Sequence, residues 1–85
     1  MYNYAKLILD ILTGREIEFS YNNKQWFIGC GNNGKCISCD GIRVSEYYST
    51  DEEFARCIET FLLDGKGLKE IFDTLLYDKK SLIIF

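Results

Sequence analysis

Three of the four cysteines in this chain, Cys30, Cys36 and Cys39, stand in a C-x5-C-x2-C spacing, and Cys57 follows further on. Four thiolates so spaced are a candidate ligand set for zinc. The surrounding pattern argues against that chemistry. Zinc knuckles place a C-x2-C pair on a tight turn, whereas Cys36 and Cys39 fall inside a run that reads as a β-strand. Side chains alternate faces along a strand, which puts Cys30 and Cys39 on the buried face and Cys36 on the other. Cys57 belongs to the apolar stripe of a helix, where a free thiol behaves as a small hydrophobe. We therefore expect four reduced structural thiols, no metal and no cofactor.

Nucleophilic and acid–base chemistry have equally little to work with. The chain has no histidine, which removes the commonest general base and the commonest neutral metal ligand. A reactive cysteine needs a histidine, lysine or helix N-terminus beside it, and Cys36 next to Lys35 is the one loose fit. Glu16 and Glu18 share one face of a strand, but that face points away from the core, as solvated carboxylates do. Gly29, Gly31 and Gly34 lie between two antiparallel strands, whereas a phosphate loop leads from a strand into a helix. No residue is assigned a catalytic role, and a non-enzyme is expected.

Binding is better supported. Phe27 and Tyr47 fall on the sheet face opposite the core, with Cys36 and Arg43 beside them. Aromatic-plus-arginine clusters on an open surface are typical of contact hot spots. RNA bases also stack on such sheets, but they need a basic surround. Here the surround is Glu16, Glu18 and Glu46, and the whole chain carries a net charge of -3. Both features disfavour phosphate. The candidate binding set is Phe27, Arg43, Tyr47, Glu16 and Glu18, with a protein as the partner.

The elements that must position these residues are legible in the pattern. Asn3 caps a helix carrying Tyr4, Leu7, Ile8 and Ile11 on one stripe, and Thr13-Gly14 ends it. Four strands follow, at about 15–21, 25–31, 35–39 and 42–48. They are joined by the hairpin turns Asn22-Asn23, Asn33-Gly34 and Asp40-Gly41. Folding about these turns pairs Phe19 with Trp26 and Ile17 with Ile28. It then sets Cys30 opposite Ile37, Ile28 opposite Cys39, Cys39 opposite Ile42 and Ile37 opposite Val44. All three turns place the same apolar set on one face, and a one-residue slip would scatter it. Trp26 is thus expected in the core.

A capping box, Ser49 with Glu52 or Thr50 with Glu53, opens a second helix with Phe54, Cys57, Ile58, Phe61 and Leu62 on its apolar stripe. Asp64-Gly65 is expected to stop it, and Leu68, Ile71, Phe72 and Leu75 build a third. Ser81 to Phe85 reads as a short edge strand or a docked apolar tail; an edge strand there would template a homodimer. The fold expected is α+β: a four-stranded antiparallel meander with one face covered by about three helices, and residues 1–85 forming a single domain. The longest apolar runs are too short to span a bilayer, and no secretory signal is evident, so a cytoplasmic location is expected.

Two stretches, Gly14-Arg15-Glu16-Ile17-Glu18-Phe19-Ser20-Tyr21-Asn22-Asn23-Lys24 and Asp64-Gly65-Lys66-Gly67-Leu68-Lys69-Glu70-Ile71-Phe72, resemble a group of small uncharacterised α+β proteins of Firmicutes and their phages. Members often carry glycine where Asn23 sits, and asparagine tolerates the same backbone. The Cys30–Cys39 segment lies outside the likeness. The resemblance implies a fold and no catalytic residue. The function expected is that of a small non-enzymatic protein that binds another protein; its narrower form is a phage-type inhibitor offering an acidic surface to the nucleic-acid groove of a host defence enzyme. The alternatives are a nucleic-acid-binding or zinc-binding module, and a purely structural domain.

Overall fold

In the computed structural model, which describes residues 1–85, the Asn3 side chain accepts the Lys6 amide at 3.0 Å and starts helix α1 (Tyr4–Leu12). Gly14, at φ +80°, turns the chain out of that helix and into the sheet. The meander follows as β1 (Ile17–Tyr21), β2 (Lys24–Gly31), β3 (Gly34–Cys39) and β4 (Ile42–Arg43). Helix α2 (Asp51–Thr60), a small hairpin of β5 (Leu62–Leu63) and β6 (Lys66–Gly67), and helix α3 (Leu68–Asp73) come next. The chain closes with β7 (Asp78–Ile84), which pairs antiparallel with β1. The result is a five-stranded antiparallel sheet ordered β4-β3-β2-β1-β7, with the helices on one face.

Asn22 and Asn23 both adopt positive φ, 55° and 61°, and close the first hairpin in the register read from sequence, Ile17 with Ile28 and Phe19 with Trp26. The Asp40-Gly41 turn likewise sets Cys39 opposite Ile42. The middle turn differs from the expectation. It lies at Asn32-Asn33, so Ile28 faces Ile37, Trp26 faces Cys39, and Cys30 faces Lys35. The shift is two residues, and an even shift leaves every side chain on its expected face. Gly34 is needed for a different reason than a turn corner. It holds φ +135°, and a Cβ there would come within 2.9 Å of the Tyr48 carbonyl oxygen.

The fourth strand is much shorter than the expected 42–48. The amides of Val44 and Ser45 both donate to the Ile37 carbonyl, at 2.8 and 3.3 Å, which is a bulge. Ser45 is buried there; its hydroxyl accepts the Ile37 amide and donates to the Glu46 carbonyl, each at 2.8 Å. The ladder resumes at one bridge between Lys35 and Tyr48. Val44, placed on the core face by its register, is therefore left exposed at the sheet edge.

Thr50, not Ser49, caps α2, accepting the Glu53 amide at 3.2 Å. That helix ends at Thr60, earlier than expected, because Asp64 and Gly65 (φ 50° and 88°) form a hairpin turn and not a helix stop. Phe61 and Leu62 consequently leave the helix, Leu63 enters the core, and Leu62 faces solvent. Leu75 also leaves its helix, at φ 58°. The C-terminal strand is longer than the expected Ser81–Phe85 and begins at Asp78.

One cluster of 14 buried residues fills the space between sheet and helices. Its centre is aromatic: Phe72 meets Phe19 edge-on at 5.0 Å, and the Tyr77 ring lies tilted against Phe72 at 4.5 Å. No helix is long and apolar enough to cross a membrane.

Candidate functional site

The register assembles the candidate binding residues on the outer face of the sheet. Glu18 lies between Ile83 of β7 and Phe27 of β2, Phe27 pairs with Ser38, and Ser38 pairs with Arg43. These five side chains make one row across all five strands. Glu16, Gly29, Cys36 and Tyr47 lie alongside it. The glycines are the floor of this surface. A Cβ on Gly29 would sit 2.9 Å from the Phe27 ring and 2.7 Å from Glu16 Cγ, so both side chains lie down over bare backbone. A Cβ on Gly31 would lie 3.7 Å from the Cys36 sulfur and 3.8 Å from the Tyr47 ring, which places that ring beside the thiol. The bulge at Ser45 swings Tyr47 into this position, and the Arg43 guanidinium rests 4.4 Å above its ring while donating to the Ser45 carbonyl.

This packing reverses two expectations about the cysteines. Cys36 does point away from Cys39, but it is buried, with 5% of its surface exposed. Cys30 is exposed, although its register puts it on the helix-facing side, because its end of the β2–β3 hairpin runs past the core. The lysine–thiol neighbour is likewise Cys30 and not Cys36: Lys35 Nζ lies 3.5 Å from the Cys30 sulfur and 3.1 Å from Asp51 Oδ1. The hydrogen bond to Asp51, then that to Cys30, raises the Lys35 pKa above its ordinary value. No three cysteine or acidic side chains converge as metal ligands would.

Cys36→Ser is expected to cost about 1–3 kcal/mol, because a hydroxyl would be buried among carbon atoms without a partner. Cys30→Ser should be close to neutral. Urea denaturation of both variants measures the difference, and equal losses would mean that Tyr47 does not cover Cys36.

Glu16, the residue before β1, accepts the Cys30 amide at 3.1 Å, which fixes its carboxylate beside the row. Ile83 is a member of the row that was not singled out from sequence; it is 46% exposed. The full length of β7 and its pairing with β1 would have revealed it. The largest recess, about 620 Å³, lies at the Asn22-Asn23 end of the sheet, between that turn and Leu76, and takes in Ser20 and Gln25 of the outer face. Near that turn, Asn22 and Lys24 both bind the Asp64 carboxylate, at 2.8 and 3.0 Å, and together they hold its pKa low. Those contacts tie the first hairpin to the β5–β6 turn, which is a structural task. No protein-family model, curated protein or solved structure matches the chain.

Proposed function

We propose that this chain is not an enzyme and acts by binding another protein through the outer face of its sheet. The observation that carries the reading is the Arg43–Tyr47 stack, in one row with Phe27 across Ser38 on the face opposite the helices. Arginine over an aromatic ring is a preorganised anchor, since little side-chain freedom remains to be lost on contact. Tyr47 is 41% exposed, so it retains surface for a partner to bury. The glycine floor keeps Phe27 flat on the sheet and leaves the surface even enough for close approach.

A photo-crosslinking phenylalanine analogue placed at Tyr47, and separately at Leu9 on the exposed side of α1, tests this in an extract of the source cell. Adducts of one defined mass from position 47, absent from position 9, are expected. Equal labelling from both positions would remove the outer face as the binding surface. An adduct of twice the chain mass from position 47 would identify a second copy as the partner.

A further inference from the structure

We infer that the protein bound by this face presents an extended basic segment, with an apolar side chain next to a lysine or arginine; the inference rests on the reading of the outer face given above. Charge accounts for it. The protein has four salt bridges, Lys24–Asp64, Lys35–Asp51, Lys66–Glu70 and Lys69–Asp73. None involves Glu16 or Glu18, the two carboxylates that border the aromatic row; Glu46, expected beside them, instead lies with Tyr48 and Phe61 at the sheet edge. The one cation of that row, Arg43, is already directed at the Tyr47 ring and the Ser45 carbonyl. The outer face therefore keeps a negative charge that nothing in the fold neutralises.

The other acidic cluster, at the start of α2, is accounted for internally. Asp51 pairs with Lys35, Glu53 is held by Ser49 and Thr50, and the positive end of the helix dipole favours all three acids of that turn. On the outer face Glu16 takes one backbone amide, from Cys30, Glu18 has no hydrogen-bond partner, and neither meets a cation. Complementary potential selects a cationic partner there.

The spacing specifies an extended segment. From Glu18 to Arg43 the row crosses three strand steps, about 14 Å at the usual inter-strand distance. Four or five residues of extended chain cover that length. A cation over Glu18 and Glu16 then places an apolar neighbour over Phe27 and Tyr47, and the Arg43 end disfavours a second cation. The segment thus has a direction as well as a charge.

The probes are a synthetic octapeptide with two lysines near one end, a central tryptophan and uncharged valine and serine residues elsewhere, and its counterpart with glutamate in place of lysine. Each is titrated into the full 15N-labelled chain. The basic peptide is expected to shift the amides of Glu18, Phe27, Ser38, Arg43 and Tyr47, and the acidic one to leave them in place. Glu16→Gln with Glu18→Gln should weaken the basic peptide about fivefold or more while preserving the dispersed spectrum, and added salt should weaken it further. Shifts confined to Asp51, Glu52 and Glu53, or equal binding of both peptides, would overturn the inference. If position 47 still crosslinks to a partner while the basic peptide leaves the face unperturbed, the basic segment is lost and the binding face stands. If neither occurs, both fall.

Discussion

Replacing Trp26 by alanine is expected to destabilise the protein by about 3–5 kcal/mol, most of what so small a domain has to lose. Trp26 is 4% exposed and sits between Phe19 on β1 and Cys39 on β3. Its side chain also supports the first hairpin, since the indole Nε1–H donates to the Tyr21 carbonyl at 3.1 Å. Alanine removes the largest side chain of the core-facing row and leaves that carbonyl without its partner. Phenylalanine keeps most of the apolar area and loses the hydrogen bond, so Trp26→Phe should cost less, about 1–3 kcal/mol. The chain has one tryptophan, so its fluorescence reports this site alone. Emission should be blue-shifted and resist quenching by iodide. A solvent-like spectrum from the folded protein would take the centre out of the core.

The faces of the sheet were legible because strand alternation has period two, and turn residues tolerant of positive φ mark where it reverses. Even the misplaced middle turn did no harm to the core, since a shift of two residues conserves the face of Ile28, Ile37 and Cys39. The same error hid the Cys30–Lys35 pairing, which depends on the absolute register. What stayed illegible was set by tertiary contacts. Gly34 looked like a turn corner, but it serves the close approach of Tyr48, a contact 14 residues away in the chain. Ser45 looked like an ordinary strand residue, yet its hydroxyl substitutes for a backbone partner and makes the bulge that aims Tyr47. Cys36 faces the side that strand alternation predicts, yet it is buried, because burial on the outer face depends on that bulge. Asp64-Gly65 is equally compatible with a helix stop and a hairpin. The pairing of Leu62 with Gly67 decides it, and residue pattern does not encode that choice.

Shortening the chain to end at Lys80 is expected to abolish cooperative folding. Residues 81–85 are the part of β7 that completes the sheet beside β1. The Ser81 hydroxyl accepts the Ser20 amide at 2.7 Å, the Phe85 amide donates to the Glu16 carbonyl at 2.8 Å, and Ile84 faces Ile17. Leu82 and Ile84 pack against the core. Leu82 and Ile84 are half-buried, so each contributes about 1–2 kcal/mol, less than a fully buried side chain, and every orphaned backbone group adds to the loss. The total approaches the whole stability of a domain this size. The same geometry limits β7 as a template for a second copy. Between Glu18 opposite Ile83 and Ser20 opposite Asp78, β7 carries four residues where β1 has one, so the ladder is broken by a bulge that includes Lys79 and Lys80. Bulges and lysines on an edge strand are the usual protection against edge pairing. Circular dichroism should show a sharp thermal transition for the full chain and none for the shortened one, and light scattering on the full chain should give the mass of one copy. A shortened chain that melts cooperatively would show that β7 is dispensable to the core. A full-length dimer that the shortening turns into a folded monomer would place the contact on β7 after all.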